Sequence, residues 1–143
     1  MYWWITPYDD PRTKKHFDFS WQATIRQKVN KRVCPYIADR KVYFGFNDLA
    51  TLYPNLLKEW DYEKNTISPQ SILWKSSQKA WWICSLGHSY DTRICHRTDP
   101  TKPSSCPYCS VPARKILIGF NDLKTTNPEI LSEWDYQKNK VKP

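Results

Sequence analysis

Twenty-one residues of this chain occur twice. GFNDLATLYPNLLKEWDYEKN, residues 45–65, returns as GFNDLKTTNPEILSEWDYQKN, residues 119–139, with 14 of 21 positions identical at an offset of 74. Chance does not produce that agreement, so the chain carries an internal duplication, and its fold is expected to reuse one unit. The correspondence extends backwards. CPYIADRKVYFGFN aligns with CPYCSVPARKILIGFN across a two-residue gap, FSWQATI (19–25) with HSYDTRI (88–94), and YWWIT (2–6) with AWWIC (80–84). The unit therefore reads as a WW strand, a loop, a second strand, a CPY turn and the FNDL…EWDY segment. TISPQSILWKSSQK (66–79) has no counterpart before Tyr2. That pattern fits either a piece of a longer array, which is the favoured expectation, or a short form whose tail closes the first unit. The expected domains are 1–65 and 66–143, with 119–143 beginning the link to a further unit.

Local patterns predict the elements. ILW (72–74) and AWWIC read as short strands joined by the polar KSSQK turn, and SYDTRIC and SWQATIR alternate as third strands. NDLATLYPNLLKEWD reads as one short helix or two helical turns. Asn47 or Asp48 would cap it, and Pro54 would break it or open its second turn. Leu49, Leu52, Leu56, Leu57 and Trp60 would form its buried face, as would Leu123, Ile130, Leu131 and Trp134 in the second copy.

Four of the five cysteines and two of the three histidines fall between residues 84 and 109. Cys84-x3-His88 and Cys106-x2-Cys109 are two ligand pairs, 17 residues apart, of the kind that hold zinc across tight turns. Gly87 and Pro107 suit such turns. With four protein ligands no water position remains, so one zinc would be structural and not catalytic. Cys95 aligns with Arg26 and is left over as a packing residue; His96 is a poorer-spaced rival ligand. In the first unit Thr6 stands for Cys84, Phe19 for His88 and Ile37 for Cys109, and only Cys34 remains, opposite Cys106. Such a set cannot hold zinc, but Phe19 and Ile37 can fill the space with apolar atoms. The PYDDPRTKKHFDF insertion is expected to compensate by its own packing, and His16 with Cys34 makes only two ligands.

WWIC-x3-H…CPYC followed by GFNDL-x-T-x3-P…EW-x-Y-x-KN resembles the zinc-ribbon, or treble clef zinc finger, repeats of bacterial and viral proteins. The resemblance covers nearly the whole chain. It implies a small α+β fold of tandem zinc-ribbon/treble clef-like units, each a short antiparallel sheet plus a short helix. By position it implies zinc ligands at Cys84, His88, Cys106 and Cys109, and it implies association with nucleic acid, sometimes beside nuclease-like domains.

Charge points the same way. The chain has 22 Lys and Arg against 14 Asp and Glu, a formal net charge of +8, which favours polyanionic partners. RQKVNKR (26–32) packs four cations into seven residues. Basic positions recur in both units: Arg40-Lys41 with Arg114-Lys115, and Lys28 with Arg97. The expected nucleic-acid contacts are Lys28, Lys31, Arg32, Arg40, Lys41, Arg97, Arg114 and Lys115, with Trp74, Tyr36 and Tyr108 stacking on bases if exposed. DNA and RNA are not distinguished. A protein-interaction or structural role is the alternative. An enzyme is not expected: Asp9, Asp10, His16 and Asp18 form the one acid and imidazole cluster, and it reads as a surface loop. No small-molecule substrate and no membrane partner are implied. MYWWITPYDD lacks the basic start and apolar run of a signal peptide, and clustered cysteines suit a reducing compartment. The expected location is the cytoplasm of a bacterial cell or of a virus-infected host.

Overall fold

The computed structural model describes residues 1–143. Strands β1 (Tyr2–Asp9) and β2 (His16–Ala23) form one antiparallel hairpin, and β3 (Lys79–Ile83) and β4 (Ser89–Arg93) form another. Short helices follow: α1 (Ile25–Val29) after β2, α2 (Leu49–Leu52) with a 3-10 helix Pro54–Glu59, α3 (Ile94–Arg97) after β4, and α4 (Leu123–Thr126) with a 3-10 helix Pro128–Glu133. This is a small α+β fold.

The two hairpins share one register. Trp4 faces Trp21 as Trp82 faces Tyr90, and Ile5 faces Ser20 as Ile83 faces Ser89. The indole of Trp4 donates to the Ala23 carbonyl at 3.2 Å, and that of Trp82 to the equivalent Thr92 carbonyl at 3.4 Å. The hairpins differ at their tips. β3 and β4 close in a tight turn, whereas the first hairpin continues through Pro7–Asp18, Tyr8–Phe17 and Asp9–His16. The inserted residues are thus extra ladder, and Tyr8 and Phe17 pack on Phe19 and Phe46.

The GFND turn is also built twice. Gly45 (φ +79°) and Gly119 (φ +81°) occupy the left-handed region, where a side chain would be strained. Asn47 donates to the Tyr36 and Lys41 carbonyls at 2.9 and 3.0 Å, and Asn121 to those of Tyr108 and Lys115 at 2.9 Å. Asp48 caps α2 through the Thr51 N–H at 2.9 Å, and Asp122 caps α4 through that of Thr125 at 2.9 Å. The cap is therefore the aspartate, because the asparagine is spent on tying the CPY turn to the next segment. Pro54 and Pro128 open the 3-10 turns, where a missing N–H costs nothing.

Packing runs out of phase with the sequence units. Leu49, Trp60 and Ile72 share a core with Ala80, Trp82, Tyr90, Ile94 and Cys106. Trp60 bridges Trp82, ring to edge at 5.1 Å, and the Asp61 N–H donates to the Trp81 carbonyl at 3.2 Å. The FNDL…EWDY segment thus lies over the hairpin that follows it, and the expected boundary at 65/66 passes through this core. A second cluster, Phe19, Trp21, Ala23, Cys34 and Phe46, belongs to the first hairpin.

Three local expectations are corrected. ILW forms no strand; Leu73 makes only an isolated bridge to Asp48. Leu123, Ile130, Leu131 and Trp134 are not buried, because no hairpin lies over the second copy as β3–β4 lies over the first. RQKVNKR includes an unexpected helix, α1, nucleated by a Thr24/Gln27 capping box.

Candidate metal centre

The turn after β3 presents two donors. Cys84 ends the ladder, with its N–H to the His88 carbonyl at 3.1 Å, and Gly87 (φ +80°) donates back to the Cys84 carbonyl at 2.8 Å. That left-handed glycine brings His88 back across from Cys84. The CPYC turn, closed by Ser110 N–H to the Cys106 carbonyl at 3.1 Å, presents the other two. The four ligand atoms of Cys84, His88, Cys106 and Cys109 lie within 4.8 Å of one another. Cys84 Sγ to Cys109 Sγ is 4.0 Å, His88 Nδ1 to Cys109 Sγ 3.2 Å, and Cys106 Sγ to His88 Nδ1 3.9 Å. Zinc bonded at about 2.3 Å to sulfur and 2.0 Å to nitrogen requires tetrahedral edges of about 3.5–3.8 Å. The observed edges bracket that range, so the donor set fits one zinc ion.

The electrostatics of the donors agree. Cys109 is pushed up to about 12, by burial and then by the neighbouring Cys106 and Cys84 sulfurs. Burial also opposes ionisation of Cys84, but hydrogen bonds from the Leu86 and His88 backbone N–H groups and from the Cys106 and Cys109 side chains together outweigh it and hold that thiol below its ordinary value. Three sulfurs this close ionise together only around a cation, which is the charge a divalent metal supplies. The His88 ring is fixed edge-on against Phe120 at 4.2 Å and lies 5.8 Å from Tyr108.

Residues 56–112 match the family described as "Probable Treble clef zinc finger domain".

The match takes in all four candidate ligands and starts inside the 3-10 helix Pro54–Glu59, so the matched region includes the segment that precedes the β3–β4 hairpin. It spans 57 of 143 residues, and no curated protein matches the chain. Cys95 and His96 stay outside the four-donor group: Cys95 is half-buried, and His96 is exposed.

At the corresponding place in the first hairpin, Thr6 Oγ1 accepts a bond from the Trp21 indole at 2.9 Å. Phe19 is stacked on Phe17 at 5.4 Å and meets Phe46 at 4.8 Å and Tyr43 at 5.0 Å; Ile37 packs against the same cluster as Cys34. Phe46 covers Phe19 as its counterpart Phe120 covers His88. His16 is engaged by Asp9 at 2.7 Å and Asp18 at 3.4 Å, and no second group of three such donors comes together. Elemental analysis of protein purified without added metal should return one zinc per chain. Two would mean that the first hairpin has found ligands after all.

The basic residues divide into two kinds. Arg97 is 8% exposed, paired with Glu59 at 2.6 Å and stacked 5.2 Å over Trp82. It belongs to the core and is withdrawn from the expected contacts. Its counterpart Lys28 lies over Trp4 and Trp21 at 5.4 and 5.2 Å, half-exposed. Lys115 faces Asp91 at 3.9 Å, and Arg114 is bonded to Ser105 and Ser110. Lys31, Arg32 and Arg40 are exposed without an acidic partner, and so is Lys41, which lies 5.6 Å over Tyr36. The aromatics Trp74, Tyr36 and Tyr108 are not free to stack on bases: each is half-buried, Trp74 against Tyr53, Tyr36 against Phe19 and Tyr108 beside His88. Sequence reasoning missed Phe120 and the capping box that orients Lys28; the T-x-x-Q pattern at 24–27 was the available signal.

Proposed function

We propose that the protein is a zinc-stabilised, non-enzymatic module that binds nucleic acid through the first hairpin's side of the chain. The observation that supports this is the run of exposed cations from α1 to the CPY turn. Arg26, Lys31, Arg32, Arg40 and Lys41 all reach solvent, and none is within ion-pair distance of a carboxylate. Cations left free of carboxylates are available to phosphates, and release of condensed counterions then drives binding. Arg114 and Lys115 supply a smaller second patch, partly neutralised by Asp91. Asp10, the most enclosed carboxylate of the Asp9–Asp10–His16–Asp18 loop, is 2% exposed and occupied by Thr13 and Arg12, which favours a structural turn over catalysis there.

The test is binding to a duplex and to a single strand across a salt series. Replacing Lys31, Arg32, Arg40 and Lys41 with alanine should lower the slope of log K against log salt by about 3, given about 0.7–0.9 per phosphate neutralised. The zinc content should not change, since none of the four touches the metal centre. An unaltered slope would remove these residues from the interface. Failure to bind either nucleic acid would leave the protein-interaction role, in which the same cations meet an acidic partner.

A further inference from the structure

The segment 45–65 and its copy 119–139 have the same sequence character and different surroundings. In the first copy, Asn65 clamps the outer edge of β3: its side chain donates to the Trp81 carbonyl at 2.8 Å and accepts from the Trp81 N–H at 2.9 Å. Asp61 N–H adds a third bond to that edge, Trp60 meets Trp82, and Lys64 lies 4.6 Å over the Trp81 ring. In the second copy the counterparts are Asn139, Asp135, Trp134 and Lys138. The Asn139 side chain is exposed and makes no hydrogen bond, and Trp134 Nε1 is enclosed without a partner. The correspondence continues past residue 139, where KVKP (140–143) takes the place of TISP (66–69) and puts Val141 where Ile67 packs on the core. Val141 is 68% exposed.

The first hairpin offers the matching receptor. The Asp10 N–H to Lys15 carbonyl bond continues the ladder, so even-numbered residues of β1 pair with β2. The N–H and C=O of Trp3 therefore point to the free edge, as those of Trp81 do on β3. Pro7, which has no N–H to give, sits on that same outward side, where a proline is tolerated. Trp3 is 68% exposed. Ile25 is 55% exposed, whereas its counterpart Ile94, covered by the 45–65 segment, is fully buried. Within residues 1–143, β3 carries a cap of this kind, whereas the β1 edge and the 119–139 copy each stand without that contact.

We propose that this protein associates head to tail: residues 119–143 of one copy dock on the β1 edge and the Trp4–Ile25 face of a second copy. The contact repeats between molecules the one made by residues 45–65 within the chain. Asn139 clamps Trp3 of the next copy, and Trp134 packs against its Trp4. Donor and receptor are different surfaces, so the contact is heterologous and generates a ring or an open array. This inference does not rest on nucleic-acid binding.

The test is sedimentation velocity of the zinc-loaded full chain over a concentration series. Species should grow in steps of 17.1 kDa. Asn139→Ala, on an exposed side chain that supports nothing in its own fold, should raise the dissociation constant about tenfold. Trp134→Ala should raise it about a hundredfold, as loss of a central aromatic anchor does. Zinc content should be unaltered in both. Mixing Trp3→Cys with Asn139→Cys protein and a short bismaleimide linker should give a cross-linked dimer above the background from the chain's own cysteines. A monomer at every concentration overturns the proposal. So does association that both variants leave unchanged, or association without the Trp3–Asn139 cross-link.

Discussion

Cys106→Ser should abolish zinc binding and unfold the core of residues 49–109, while the first hairpin keeps its structure. Cys106 is 4% exposed and is both a ligand and a member of the Trp60–Trp82 core, so the metal centre and the hydrophobic cluster share an atom. Zinc contributes about 10–16 kcal/mol in comparable small domains, which matches or exceeds the net stability of about 5–15 kcal/mol for a whole domain. Serine leaves three donors and a buried hydroxyl. Elemental analysis should fall from one zinc to none, and the near-ultraviolet circular dichroism of the Trp60–Trp82 pair should be lost. Cys34→Ser is the contrast. Cys34 is as buried but lies outside the four-donor group, so the change should cost about 1–3 kcal/mol and keep the zinc. Equal damage from both substitutions would sink the asymmetry between the two hairpins.

That asymmetry was legible before any coordinates, because ligand chemistry is written in residue type and spacing. C-x3-H and C-x2-C admit few other readings, and Thr6, Phe19 and Ile37 visibly lack the donors. The start and the break of the GFND helix were legible for the same reason: the Asn47–Asp48 pair and Pro54 act over three or four residues, within reach of a local pattern, though the choice of Asp48 over Asn47 was not. What was hidden depends on contacts between distant segments. Identity between two copies says they can adopt one local shape, and the GFND turns do. It does not say which hairpin covers them. The buried face expected for Leu123, Ile130, Leu131 and Trp134 has the right spacing, but burial needs something to lie against it. Arg97 misleads in the opposite direction. By composition it is one more cation of a basic chain, and only Glu59, 38 residues earlier, and Trp82 turn it into a core residue.

Phe19→Ala should reverse the pattern: the first hairpin loses its tertiary packing and the zinc stays at one per chain. Phe19 is fully buried and occupies the position of a zinc ligand, with Phe17, Tyr36, Tyr43 and Phe46 within 5.5 Å between ring centroids. Deleting it removes the ring around which the others are arranged, at a cost of about 3–5 kcal/mol. A unit of this size has little stability in reserve. Hydrogen exchange should lose protection across β1 and β2 and retain it across β3 and β4. The two hairpins share register, indole bond and GFND turn, so the comparison isolates what stands at the centre. In one it is a directional tetrahedral set that tolerates no substitution. In the other it is a cluster of rings whose contribution scales with buried area and falls in proportion to what is removed. Phe19→Leu, which keeps most of the apolar area, should therefore recover much of the lost stability, whereas no conservative replacement of Cys106 should return the zinc. Loss of zinc from Phe19→Ala would mean that the two cores fold as one unit.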